Sequence, residues 1–316
     1  MKKTTITITI TILLASFSTI NAKIINNTTE ETTLSSTKNC ALLVSGGIDH
    51  DFKKTIIYDR SAKFAESVMK EKGWNAKTLK RPTLNWLEYN IKNWIPSNLG
   101  EKKQVLLYFM DHGRYGGNLC LNPKEILNAS KLNQLLDHIE PYYSICTVVI
   151  DCCYAGGFIK ELSKKNRIII TSTDGTESSY NNDDYMGLFS KPFFEALREN
   201  VTLGEAWEQA DLVVDTQPSS GFWYWEEQNP QIDDNGNGYS VGNSEINTLP
   251  MNDGHTEEGE NLDGVLAHNT KLEMTTAKSK TKNLNKITAS NYLASFIEKQ
   301  IKLSKIIRSI LLSCIH

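Results

Sequence analysis

Four short, uninterrupted apolar runs govern what this chain can become: Ala41–Val44, Val105–Met110, Cys146–Ile150 and Ile168–Ile170. A strand that meets solvent on one face alternates apolar and polar residues. A strand covered on both faces can be apolar throughout, as in a parallel sheet whose crossovers lay helices over each side. Helical periodicity fills the gaps. Tyr58, Ala62, Ala65 and Met69 share one face of a helix that stops at Gly73. Trp86, Leu87, Asn90, Ile91 and Trp94 mark another, closed by Pro96. Residues 124–139 read as a third through Ile126, Leu127, Leu132, Leu135, Leu136 and Ile139, and helical patterns return around 188–198 and 203–214. Asn75–Leu79 reads as a further strand. Alternating strands and helices predict an α/β three-layer sandwich with a mostly parallel central sheet.

The ends have a different character. Lys2 and Lys3 precede an uncharged stretch, 4–20, that ends at Asn21-Ala22, so residues 1–22 read as a signal peptide and the mature chain as secreted or extracytoplasmic. An uncleaved membrane anchor is the alternative, for which the threonine-rich segment is short. Residues 23–39 read as a flexible leader, and residues 40–244 as the folded domain. Residues 245–286 form a linker by composition, acidic over 252–266 and Lys/Thr/Ser-rich after 271. Residues 287–316 read as an amphipathic helix, with Leu293, Ile297 and Ile301 on its apolar side and Lys299, Lys302 and Lys305 on its basic side. Docking on its own domain, contact with a membrane surface or partner, and service as a removable pro-segment all fit it. A net charge of −3 without a Lys/Arg-rich block argues against nucleic acid as a partner. Six cysteines without a CxxC pair argue against a disulfide-rich scaffold.

Two loops carry the chemistry, Asp111-His112-Gly113 and Asp151-Cys152-Cys153-Tyr154-Ala155-Gly156-Gly157. Each directly follows an apolar run, and ligand sites of open parallel sheets gather at the carboxyl ends of strands. If the two strands are neighbours, about 4.8 Å apart, an imidazole and a thiol meet at one rim. A thiol attacks as the thiolate, and a nearby His can take its proton and later protonate the leaving amine. The N–H groups of Gly113 and Cys153 could then form an oxyanion hole. Structural roles for the lone His and lone Cys stay open, as does a zinc site from His112, Cys146, Cys152 and Cys153, although adjacent cysteines suit tetrahedral ligation poorly.

The elements Leu106–Gly113 and Val148–Gly156, with the strand into Ser45-Gly46-Gly47, the helix running to Gly73-Trp74 and the segment Thr171–Tyr180, resemble the caspase-hemoglobinase fold. Within it the chain is most similar to the legumain (asparaginyl endopeptidase) family, over residues 40–240. The resemblance implies a cysteine endopeptidase acting on peptide or protein substrates without a cofactor. In it His112 is the base, Cys153 the nucleophile, Gly113 and Cys153 the oxyanion donors, and Glu177, Ser178 and Ser179 the wall of the P1 pocket. It also implies a P1 preference for Asn or Asp. The chain departs from the family in showing no Arg-His pair near Gly46–Tyr58 and no acidic residue in Met186–Phe189. Transpeptidases and transamidases share the acyl-enzyme, and a peptide-binding module without turnover is a further reading. Finally, Asp233, Asn235, Asn237 and Gly238 fit the first half of a calcium loop, with Ser244 where a bidentate Glu belongs; a tight polar turn is the other reading.

Overall fold

Each apolar run becomes a strand. In the computed structural model β1 (Cys40–Ser45), β2 (Asn75–Lys80) and β3 (Lys103–Met110) precede a small antiparallel sheet of β4 (Gly113–Arg114), β5 (Asn118–Asn122) and β6 (Glu125–Asn128). Then follow β7 (Tyr143–Asp151), β8 (Arg167–Thr171) and β9 (Gln231–Asp233). The main sheet has the order β2-β1-β3-β7-β8-β9, parallel except for β9 at its edge. The structure describes residues 38–47, 52–101, 103–182, 184–216, 227–242 and 248–273. The expected signal peptide, nearly all of the leader and the C-terminal helix lie outside the described residues.

Strand residues point alternately to two cores, which is why the runs must be apolar throughout. Ala41, Leu43, Leu106, Tyr108, Val149, Ile168 and Ile170 pack with α1 (Phe52–Glu71), α6 (Ser190–Arg198) and α7 (Leu203–Thr216). Leu42, Val44, Leu107, Phe109, Val148, Ile150 and Ile169 face the other side. There they meet Leu87 of α2 (Leu84–Tyr89), Ile95 of α3 (Ile95–Asn98), Leu135 and Ile139 of α4 (Ala129–Ile139) and Leu162 of α5 (Ile159–Leu162). The result is the three-layer α/β sandwich expected.

Three local readings change. Residues 124–139 are not one helix. Glu125–Asn128 pair with β5, and the helix begins only at Ala129, where the Asn128 side chain accepts from the Lys131 N–H at 2.7 Å. A cap of this kind is worth about 1 kcal/mol, and the apolar pair Ile126-Leu127 has no period of its own to separate strand from helix. Pro96 does not close its helix either: a π-helical turn, Asn90–Trp94, leads into α3 with Pro96 in its first turn. A proline lacks the N–H and crowds the preceding turn, and the wider π turn accommodates both. Lastly, residues 248–273, expected as linker, pack on the domain. Leu249, Ala267 and Leu272 are buried, and Thr202 bridges to Lys271. The Trp74 Nε1–H donates to the Glu273 carbonyl at 2.8 Å. α8 (Val265–Asn269) lies in this segment, and its first-turn amides are taken up by Asp234. Composition misjudges the segment because its carboxylates serve internal hydrogen bonds.

Candidate active site

The register of β3 on β7 sets the site. Met110 pairs with Asp151, so the residues two places on, His112 and Cys153, leave the same rim from adjacent strands. The two exit loops then pack backbone to backbone. A methyl group added at Gly113 would stand 2.8 Å from the Cys153 carbonyl carbon and 2.7 Å from Cys152 Sγ, closer than any real side chain tolerates. Only glycine lets the His loop lie this close to the Cys loop. On the His side, the ring of Tyr58 meets the His112 imidazole edge-on with centroids 5.4 Å apart. The Asp111 carboxylate accepts the His112 N–H at 2.6 Å. Burial pushes the Asp111 carboxyl up to about 8, against hydrogen bonds from the His112 and Gly47 N–H groups and the Arg81 charge.

The two adjacent thiols differ sharply. Cys152 is buried, and burial among Cys153, Asp151, Asp111 and Cys120 holds its thiol well above the ordinary cysteine range. Cys153 is half-exposed and accepts the Ser179 N–H at 3.4 Å. Of the two, only Cys153 offers its sulfur to an incoming molecule. Tyr154, next in sequence, sits at φ 60°, in the left-handed region, and its N–H donates to the Glu177 carbonyl at 2.7 Å. That sharp turn lifts the cysteine clear of the sheet. Cys40, Cys120, Cys146, Cys152 and Cys153 are all free.

The zinc alternative fails on geometry. Cys146 is fully buried and pairs with Val105, whereas Asp151 pairs with Met110. At about 3.3 Å per residue, Cys146 lies roughly 20 Å below the rim loop along β7. No group of three His, Cys, Asp or Glu side chains among the described residues is arranged to hold a metal ion.

The Glu177–Ser179 loop lies beside Cys153, but its side chains do different things from those expected of a pocket wall. The Glu177 carboxylate faces Asn229, accepting from its backbone N–H at 2.8 Å and from its side-chain amide. Burial raises its pKa. Ser179 Oγ donates to Asp151 at 2.6 Å, and Ser178 is half-buried. Three residues that the sequence reading passed over organise this region. Asp151, fully buried, accepts from the hydroxyls of Ser179 and Ser190; burial raises its pKa, and these hydroxyls, with Ser172, pull it back. Gln228 accepts the Tyr180 N–H at 2.9 Å and donates to the Ser172 carbonyl at 2.9 Å. Asn229 completes the clamp on Glu177. The Asp before the cysteine pair was a visible signal for Asp151. Nothing local announces Gln228 and Asn229, which lie some fifty residues from their partners.

In the loop after β9, Asp233 accepts from the N–H groups of Gly236 at 3.1 Å and Gly238 at 3.2 Å.

Comparisons with known proteins agree with this architecture. The model of the peptidase C13 family matches residues 95–219, a span that contains both rim loops. No curated protein sequence matches the chain. Among solved structures, caspase-1 from Spodoptera frugiperda is similar in fold, with a TM-score of 0.50 and 15% identity over 63% of this chain and 87% of that one. The C13 match encloses both rim loops and a caspase-type sheet carries them, so the chain is similar to the legumain family, and these findings support a cysteine-type peptidase.

Proposed function

We propose that Cys153 is the nucleophile and His112 the general base and acid of an extracytoplasmic endopeptidase. Peptide-bond cleavage would then proceed through a thioester on Cys153, with the Gly113 and Cys153 N–H groups stabilising the tetrahedral oxyanion. One observation carries this reading: the β3–β7 register that sends both residues out at one rim, with Gly113 packed on the Cys153 backbone. His112 would take the thiol proton and return it to the leaving amine, after which water or another amine would release the acyl group. The polar Ser178–Ser179 backbone beside Cys153 supports a polar P1 side chain, with Asn or Asp as the expectation. The charged stretch Lys2-Lys3 before an apolar run supports the extracytoplasmic location.

The test compares the mature protein with Cys153→Ala and Cys152→Ser on internally quenched peptides varied at P1. Cys153→Ala should lose at least about a thousandfold in kcat/KM, and Cys152→Ser should stay within about fivefold. Full activity in Cys153→Ala removes the dyad assignment. Cleavage after Arg or Lys alone removes the Asn/Asp preference while leaving the dyad intact.

A further inference from the structure

A second site lies along the chain from the catalytic rim, at the loop that follows β9. Asp233 and Asp263 are both fully buried, and neither is ion-paired with a Lys, Arg or His among the described residues. Asp263 comes from the distant 248–273 segment and grips the same loop. Its Oδ1 accepts the N–H groups of Asp234 at 3.0 Å and Asn235 at 3.4 Å. Its Oδ2, equally buried, accepts no hydrogen bond among the described residues. A buried carboxylate oxygen with no partner costs several kcal/mol unless a proton or a cation meets it. Asp233, Asp234 and Asp253 are the like charges that act on it. The oxygens around this loop are those of the alternating pattern Asp233, Asn235 and Asn237, with the Tyr239 carbonyl at the seventh place. Asp253 holds the Asn237 amide by accepting from its Nδ2 at 2.7 Å, which fixes the direction of its Oδ1.

We propose that this loop binds calcium. Asp233 and Asp263 supply the two carboxylates, Asn235 and Asn237 the amide oxygens, and Tyr239 a backbone carbonyl, with Asp253 as a positioning residue through Asn237. Two carboxylates with amide, carbonyl and water oxygens suit calcium, which takes six to eight hard oxygen ligands in flexible geometry; the same set is too loose and too poor in nitrogen or sulfur for zinc. Asp263 stands in for the acidic ligand that an unbroken calcium loop takes from its twelfth place, which Ser244 fills here. The site is linked to the catalytic rim. β9 leads straight into the loop, and Gln228 and Asn229, just before β9, hold the Ser172–Tyr180 segment beside Cys153. Calcium would therefore brace the substrate side of the cleft. That last link rests on the peptidase reading; the binding itself does not.

The experiment uses the full mature chain freed of metal with EDTA. Thermal unfolding is followed in EDTA, in about 10 mM calcium and in about 10 mM magnesium, and Tyr239-sensitised terbium emission is titrated and then displaced with calcium. A calcium-specific rise of about 5 °C is expected, with terbium emission that calcium displaces. Asp263→Asn and Asp253→Asn should each weaken calcium binding at least about tenfold. Asp253 is partly exposed, so its variant keeps the test valid if Asp263→Asn fails to fold. No shift and no terbium signal overturns the site and leaves Asp263 as a protonated carboxyl. An equal shift with magnesium overturns the choice of calcium, and undiminished binding in both variants places the ion elsewhere. If calcium binds but KM does not change with it, the link to the cleft fails and the site stands. A Cys153→Ala variant that still cleaves peptide would sink the dyad without touching the calcium result.

Discussion

Replacing Gly113 by Ala should disable the enzyme while leaving it folded. The added methyl would fall 2.8 Å from the Cys153 carbonyl carbon and 2.7 Å from Cys152 Sγ. The methyl would clash still harder with the Cys153 carbonyl oxygen; ordinary carbon contacts lie at about 3.5–4.0 Å, so the His loop and the Cys loop must separate by more than about 1 Å. Neither neighbour can yield easily, because one is backbone and the other a fully buried thiol. A displacement of about 1 Å at reacting groups costs on the order of a hundredfold in rate. Displacing the Gly113 N–H from the oxyanion position proposed for it would add a comparable loss. The predicted fall in kcat/KM is therefore about 10²–10⁴-fold, with a stability cost of about 1–3 kcal/mol from overpacking. The assay pairs steady-state cleavage of a quenched peptide with urea unfolding and with alkylation of Cys153 by iodoacetamide. A folded Gly113→Ala enzyme within about threefold of wild type would refute the idea that these two loops meet as a catalytic pair.

The other expectations concern the supports of the site. Asp111 carries a folded-state pKa of about 8 against about 4 in the unfolded chain. Between those values the folded carboxyl keeps a proton that the unfolded chain has released, so stability should fall as pH rises through that window and level off above it. Asp111→Asn should remove about 1.4 kcal/mol per pH unit of that slope in urea unfolding across pH 4–8; an unchanged slope would show that Asp111 ionises normally. Glu177→Ala leaves the Asn229 N–H unpaired and frees the loop beside Cys153, so KM should rise about tenfold with kcat within about threefold; a change confined to kcat would count against a substrate-side role. Arg167, fully buried, donates to Asp137 at 2.6 Å, Asn133 at 2.7 Å, the Leu162 carbonyl at 3.1 Å and Tyr143 at 3.3 Å. Arg167→Ala should cost about 3 kcal/mol in unfolding and leave kcat/KM untouched, and a kinetic defect at full stability would contradict its purely structural place.

The sequence by itself determined the sheet and the two loops at its rim. Apolar runs such as Val105–Met110 and Val148–Ile150 have no stable place except between two helical layers, and the His112 and Cys153 that follow within three residues must emerge at strand ends. Those are local constraints, written in neighbouring residues. Only the tertiary structure decided that Glu125–Asn128 is a strand, because Leu127 alone is too little pattern and its pairing partner is β5. Only it shows the contrast between the two thiols, Cys152 buried beneath the Gly113 loop and Cys153 half-exposed. The clamp of Asn229 on Glu177 and the reach of Asp263 to the loop after β9 join residues separated by 52 and 28 to 29 places. Hydrogen bonds across such distances leave no periodicity in the chain, because what fixes them is the loss of water around both partners once the layers have closed.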